Sequence, residues 1–463
     1  MTMKKNRLFI ILFLGILITQ ITGCTKFVTV DPPVTQLVTS SVFENDQTAI
    51  AAMNGIYSFM ESNAGFSNGG TESVGFFGGL SADELTNYSS SPEQIQFYQN
   101  ELNSSNSELY SSLWQTPYQC IYDANGIIEG VSKSTNLSSG VKQELLGEAK
   151  FIRAFCNFYL TNLFGDIPLI NTTDYKANES VPRTGRQSVY QQIITDLTEA
   201  QSLLSSDYSF SGGEKVKPNS WVATAFLARV YLFNGNWKDA ENMAAQVIGQ
   251  VQLFALDSDL NEVFLRNSSE AIWQLMPNLP GINTWEGSIY ILTSAPEFAA
   301  LSPQLVEAFE PGDLRKANWV ADTTIETTTY YYPFKYKVKS SLQLSEYSMV
   351  LRLAEQYLIR AEARANQNNF SGAESDINII RNRAGLNNIA ISDKDSLLTV
   401  IRHERQVELF TEWGHRWLDL RRNAEATAVL SPIKSNWHPT DTLYPIPQGE
   451  IQRDPNLIQN EGY

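Results

Sequence analysis

The sequence predicts a mainly α-helical fold, an irregular scaffold of repeated helices that carries loop-rich insertions and a few short strands. Three observations predict it. Apolar residues recur at helical spacing in several long segments, one helix–turn–helix pattern occurs twice, and the stretches between are broken by Pro, Gly, Ser and Asn. With 463 residues, 43% of them hydrophobic, the chain has enough apolar side chain for a large core.

The clearest helix lies within 142–164, where Leu145, Ala149, Ile152, Cys156, Tyr159 and Leu163 follow one another at steps of three and four. Phe151, Phe155 and Phe158 add a second stripe, so this helix is expected to be sandwiched between two partners, and Gly165-Asp166-Ile167-Pro168 ends it. The repeated pattern spans 226–248 and 359–380, aligning Ala228 with Ala361, Trp237 with Phe370, Ala240 with Ala373 and Ala244 with Ile377. Against the tetratricopeptide pattern of about 34 residues, Leu227, Ala228, Tyr231 and Ala240 fall at its leucine, small, tyrosine and alanine positions. In the second copy Arg360 and Arg364 replace the leucine and tyrosine, and the copies are far apart, so insertions separate them. Helices at 186–204 and 396–412 supply further layers.

Between about 253 and 345, short β-rich runs such as EAIWQLM and TTTYYYPFKYKV alternate with Pro and Gly. The segment 61–106, rich in Gly, Ser and Asn, is expected to be irregular as well. Cys120 and Cys156 fall on consecutive helices. A bridge between them is open, but two buried thiols acting as small apolar side chains is the simpler expectation.

At the N-terminus, Lys4, Lys5 and Arg7 precede an eleven-residue apolar run from Leu8 to Ile18. Spanning a bilayer takes about 20 residues, so this is an export signal and not a membrane helix. It ends at Ile21-Thr22-Gly23-Cys24, which resembles the bacterial lipobox, in which the chain is cut before the cysteine and the thiol is acylated. A single acyl chain holds a protein only marginally, whereas two or three on Cys24 would anchor it firmly. The net charge is −16, and removing the signal's basic residues makes it more acidic still, so nucleic acid and anionic lipid are unfavourable partners.

Residues that carry chemistry are scarce. Gly65-Phe66-Ser67-Asn68-Gly69 fits G-x-S-x-G, but no apolar strand precedes it and no helix is expected after it, so it is not a nucleophile elbow. His403-Glu404 starts like H-E-x-x-H, yet Val407 stands where the second histidine belongs. No catalytic set, metal site or cofactor site is expected. Asp83-Glu84 is the conspicuous carboxylate pair; Asp83 is best explained as a cap or turn residue. Aromatic rings amid Asn, Ser and Thr are the richer signal, because a sugar offers an apolar face and a hydroxyl rim. The loop-rich parts hold Phe76, Phe77, Trp285, Tyr290, Trp319, Tyr330, Tyr331 and Tyr332. The candidate ligand contacts are Trp285, Tyr290, Trp319, Phe76 and Phe77.

Four segments then point to a family: EAKFIRAFCNFYLTNLFGDIPL (148–169), RLAEQYLIRAEARA (352–365), ERQVELFTEWGHRWLDLRR (404–422) and YPIPQGEIQRDPNLIQNEGY (444–463). In this order behind a lipobox, the chain from Cys24 to Tyr463 resembles the SusD/RagB family of outer-membrane nutrient-binding lipoproteins. The resemblance implies a tetratricopeptide-like fold and no catalysis. It implies a lipid-anchored surface protein that captures a glycan, or in some members a peptide, and acts as the lid of a SusC-like, TonB-dependent β-barrel transporter. The shared motifs are scaffold motifs, with Arg405, Glu408, Arg416, Asp419 and Arg421 expected in an internal ion-pair and capping network and the tail fixed onto the body. The expected layout is a signal at 1–23, a tether at 24–45 and one body at 46–463. Within the body, helical layers fall at about 107–250 and 346–428, ligand-side loops at about 61–106 and 253–345, and the tail at 429–463. A surface glycosidase with an unrecognised carboxylate pair, or a scaffold for other surface proteins, are the alternatives from other classes.

Overall fold

The computed structural model describes residues 42–62 and 65–463. The signal, Cys24 and most of the tether lie outside the described residues. Among those described, no helix is long and apolar enough to cross a membrane.

The principal helices are α1 (Asp46–Ser62), α2 (Val74–Ser81), α3 (Pro92–Gln99), α4 (Thr116–Lys133), α5 (Ser139–Phe164), α6 (Arg186–Leu203) and α7 (Ser220–Phe233). They continue with α8 (Trp237–Ile248), α9 (Trp285–Tyr290), α10 (Leu314–Trp319), α11 (Leu353–Asn366), α12 (Phe370–Arg383), α13 (Lys394–Leu409) and α14 (His415–Arg422). The strands used below are β1 (Leu85–Asn87), β2 (Ala271–Leu275), β3 (Ala299–Leu301), β4 (Val320–Ile325), β5 (Thr328–Pro333) and β6 (Ser348–Arg352); a further two-residue pair joins Ile167–Pro168 to Arg183–Thr184.

Helix α5 is buried along its whole C-terminal half, both apolar stripes included, because α4 and α6 pack on opposite sides of it. Each large side chain so buried contributes about 1.5–3 kcal/mol. Gly165 ends the helix at φ +78, its N–H donating to Thr161 O. From there neighbours in sequence pack as neighbours in space, α6 on α7, α7 on α8, and then α8 directly on α11. The two repeat copies therefore touch, and the chain between them leaves the stack and returns. Antiparallel pairing of β2 with β6 closes the base of that excursion. The aligned alanines Ala228, Ala240, Ala361 and Ala373 are wholly buried. Arg360 and Arg364 replace apolar packing with ion pairs, to Asp376 at 2.6 and 2.9 Å, and Arg364 also reaches Glu241 of α8 at 2.8 Å.

The segment 61–106 is more helical than its composition suggests, since it contains α2 and α3. Helix α2 keeps three glycines, Gly75, Gly78 and Gly79, although glycine disfavours helix by about 1 kcal/mol. Packing overrides propensity there: a Cβ at Gly78 would lie 2.9 Å from the Cα of Gly414, so only glycine lets α2 approach the turn before α14. In the insertion, β2 and β5 match the expected strand runs, but Lys335 and Tyr336 lie just past β5 and α9 and α10 interrupt the loops. Cys120 and Cys156 are free, wholly buried thiols. The tail is pinned as expected, with Tyr444 N donating to Leu163 O and Asn460 Nδ2 to Phe164 O and Tyr444 O.

A buried ionic lattice joins the excursion to the stack. Arg352, at the end of β6, bonds Glu270 at 2.8 Å, Glu408 at 2.6 Å and both oxygens of Glu412. Arg315 of α10 bonds Asp313, Glu404 and Glu408; Arg381 bonds Glu310 and Glu404; Arg383 bonds Glu270 and Glu408; Lys335 bonds Glu412. Burial alone would raise the Glu408 pKa, but Arg383, Arg352 and Arg315 outweigh it and hold the carboxyl well below its usual range. Of the five motif residues expected in the network, four form ion pairs: Glu408 here, Arg405 with Asp419 at 2.7 Å, and Arg416 with Asp83 at 2.7 Å. Arg421 differs. No ion pair reaches it among the described residues, and burial, then Arg186, lowers its pKa to about 10.

Removing one partner of a buried pair strands its counter-charges, so Arg352→Ala is expected to lose about 3–5 kcal/mol in urea unfolding. Glu408, Glu412 and Asp419 have depressed folded pKa values. Their stabilisation is therefore present above the unfolded carboxylate value of about 4 and lost as pH falls through the folded values, which a thermal scan from about pH 6 to pH 2 reads as a steep fall in Tm.

Candidate functional site

An exposed aromatic platform forms where three segments meet. Strand β1 pairs antiparallel with β3, Leu85 opposite Leu301 and Asn87 opposite Ala299, and β3 packs beside β5 of the β4–β5 hairpin. Beyond β1 the chain runs through Tyr88-Ser89-Ser90. Both Tyr88 N and Ser89 N donate to Phe298 O, at 2.8 and 3.1 Å, and Asn87 Nδ2 donates to Ser89 O. Ser91 then caps α3 by accepting from Gln94 N, with Pro92 at the first helical position. A four-residue loop is thus fixed at both ends.

This loop holds the Tyr88 ring, 43% exposed, edge-on to Tyr330 of β5 with ring centroids 5.5 Å apart. Thr323 lies opposite Tyr330 in the hairpin register, so their side chains share one face. Burial, then Tyr330 and Tyr98, raises the Tyr88 phenol pKa above its ordinary value. Tyr331 points to the other face of the hairpin and is 38% exposed, while Tyr332 is buried. The exposed charges nearby, Asp322 and Glu297, are acidic. Lys434 Nζ lies over the Tyr98 ring, 4.9 Å from its centroid. Rings with accessible edges and hydroxyls around them suit a hydroxyl-rich ligand with an apolar face.

The ring positions singled out from sequence correct as follows. Phe76 and Phe77 are helical, within α2, and wholly buried; Phe77 stacks on Phe97 of α3 at 4.1 Å, supporting from beneath the helix that bears Tyr98. Trp319 ends α10, is wholly buried, and donates from Nε1 to Leu260 O at 2.8 Å. Tyr290 is 3% exposed and packs near Phe76. None of these four offers a ring face to solvent, because the drive to bury large apolar area claimed them for the scaffold. Trp285, at the start of α9, is part-buried, its indole donating to Glu61 O at 3.2 Å. Tyr330 and Tyr331 were legible as loop-region aromatics. Tyr88 was not, although a ring inside Asn-Tyr-Ser-Ser-Ser-Pro is the available signal.

The motif-like residues find structural employment. Ser67 Oγ donates to Met60 O in a short 3-10 turn. Asp83 is not a cap but a bidentate partner of Arg416, and Glu84 beside it is 1% exposed, with burial and then Asp83 raising its pKa to about 8. Glu310, His403 and Glu404 come together, but Arg381 and Arg315 occupy the carboxylates and His403 Nε2 bonds Ala308 O.

The geometry is thus a helical-repeat scaffold with a partly exposed aromatic cluster at its surface. Two family models match: one described as "SusD family" over residues 309–463, the other as "Starch-binding associating with outer membrane" over residues 47–232. A SusD-like protein of Formosa agariphila is 24% identical over the full length of both chains. A SusD superfamily crystal structure from Bacteroides vulgatus superposes with a TM-score of 0.79 at 22% identity, covering 91% of this chain and 100% of that one. A laminarin-binding SusD-like protein superposes with a TM-score of 0.77 at 24% identity, with the same coverage. The chain belongs to the SusD/RagB family, a family of binding proteins and not of enzymes, associated with the outer membrane.

Platform and support differ in their energetics. Tyr88→Ala is expected to change unfolding free energy by about 0.5 kcal/mol or less, whereas Phe77→Ala is expected to cost about 3–5 kcal/mol, both read by urea denaturation.

Proposed function

We propose that this protein captures a neutral glycan on the Tyr88–Tyr330 platform and delivers it to a TonB-dependent β-barrel transporter of the outer membrane, for which it acts as the lid. The observation that carries this reading is the ring pair of exposed Tyr88 and half-buried Tyr330, held on a fixed loop and hairpin. The family description of starch binding and the laminarin-binding structural relative support a glucan-like ligand. The acidic surroundings, with Asp322 and Glu297 exposed, disfavour uronic-acid polymers.

The functional layout follows the sequence expectation: a signal at 1–23, acylation at Cys24, a tether to 45 and one body from 46 to 463. Anchoring through Cys24 keeps the body at the cell surface in the same membrane as the barrel, so lid and transporter meet at high effective concentration. Closure over the barrel mouth traps ligand, and no bond is broken in the process.

Titrating the soluble body with starch, laminarin, a uronic-acid polymer and peptides tests the ligand class. Neutral glucans are expected to bind, with Tyr88→Ala and Tyr330→Ala each weakening affinity about tenfold, or about 1.4 kcal/mol. Undiminished glucan binding by the double variant overturns the assigned surface, and binding of peptides alone overturns the glycan reading. Cys24→Ala is expected to move the protein from the membrane to the soluble fraction.

A further inference from the structure

Lys434 lies in the C-terminal tail, in the turn that follows the short helix Ala426–Leu430, and is buried. Its main chain is held on both sides, Lys434 N donating to Leu430 O at 2.9 Å and Trp437 N to Lys434 O at 3.1 Å. From there its side chain meets a part of the chain more than 300 residues earlier. Nζ donates to Leu80 O at 2.5 Å and to Tyr98 O at 2.7 Å, and stands over the Tyr98 ring. Leu80 and Tyr98 are in the last turns of α2 and α3, where carbonyls have no donor within their own helix and the helix end carries partial negative charge. One ammonium therefore serves two helix ends.

The ammonium is kept there at a cost. Both of its bonds go to main-chain carbonyls, and the acid that acts on it, Asp83, is already held at both oxygens by Arg416. Burial accordingly pulls the Lys434 pKa down to about 7. An apolar side chain of the same length would avoid that cost but leave the two carbonyls unmet.

What these bonds hold is α3. At eight residues it is too short to persist as a helix by itself, so its contacts decide where it stands. It meets α2 through the stack of Phe97 on Phe77, through Asn100 Nδ2 donating to Ser81 O at 3.2 Å, and through Lys434, which joins the ends of both helices from a third element. At its other end Ser91 caps α3 and closes the loop Tyr88-Ser89-Ser90. A displaced α3 would therefore pull on the loop that carries the Tyr88 ring. We propose that Lys434 is a positioning residue for the ligand platform: by tying the C-terminal ends of α2 and α3 together it sets where α3 stands and, through the Ser91 cap, how Tyr88 meets Tyr330. Its bearing on binding rests on the reading of Tyr88 and Tyr330 as ligand contacts.

The mature soluble chain at about pH 6, where Lys434 is charged, serves for the test, at a temperature where every variant is folded. A 3-fluorotyrosine at position 88 reports the ring's surroundings by fluorine NMR with no ligand present. Lys434→Met, close to lysine in length but without charge or donor, is expected to shift and broaden that resonance and to weaken glucan affinity about three- to tenfold. In the Tyr88→Ala background the same substitution is expected to add no further loss, since it acts through that ring. Cys156→Ala, a buried change away from α2 and α3, is expected to lower Tm and leave the resonance in place. Should Lys434→Met fail to fold, Lys434→Gln is read in its place with the same expectations. An unmoved resonance overturns the proposal, as does an equal shift in Cys156→Ala or an affinity loss undiminished in the Tyr88→Ala background. If Tyr88→Ala itself leaves glucan binding intact, the platform reading fails, and the fluorine signal alone still decides whether Lys434 places the ring.

Discussion

The rest of the structure depends on Arg352 and the carboxylates that surround it. Taking such charges out of water costs several kcal/mol per ion, which attraction repays only when every donor and acceptor meets a partner at good geometry. Here the partners come from distant parts of the chain: Glu270 before β2, Glu408 at the end of α13 and Glu412 in the turn after it, and through them Arg315, Arg383 and Lys335. An apolar contact tolerates sliding, whereas this lattice is satisfied in one arrangement. It therefore fixes how the long excursion between the repeats seats on the helical stack, at a place where hydrophobic packing alone would leave several registers open.

That constraint divides labour within the fold. The helices α4–α8 and α11–α13 supply apolar bulk and contact one another in near-sequential order. The excursion supplies surface. Its base is held by β2–β6 pairing, Trp319 and Lys335, while the tip of the β4–β5 hairpin stands in solvent and turns through Glu326 at φ 56. The Tyr330 half of the platform thus sits on the hairpin, whose excursion is joined to the helical stack through buried charges. The loop at Tyr88 is held in the same spirit, with Phe77 and Phe97 stacked beneath it and two backbone bonds at its start.

The scaffold was legible because its signals are periodic. Leu145 to Leu163 at alternating steps of three and four, and alanines recurring at equivalent places in two segments, survive without knowledge of tertiary contacts. The ring contacts were not, since a phenylalanine amid glycines looks the same in a solvated loop and in a helix whose glycines exist to admit a neighbour. Phe76 and Phe77 are the case in point: the glycines flanking them, Gly75 and Gly78, mark close approach to the chain at 411–414, which lies more than 300 residues away in sequence. Exposure is likewise non-local. Tyr330, Tyr331 and Tyr332 are identical in type and adjacent, yet strand alternation and the packing of β3 give each a different environment. The role of Arg352 was equally hidden, because its partners are set by topology and not by spacing.

The hairpin bearing Tyr330 has a consequence for how such a protein diversifies. From Asp322 to Tyr331 the side chains contribute little to the core, and the two strands are held by main-chain pairing that any residue but proline sustains. On the proposed reading, ligand preference then drifts by exchange of a handful of residues at the tip, at little cost in folding free energy. One inherited framework can in this way be retuned to a new polymer without being rebuilt.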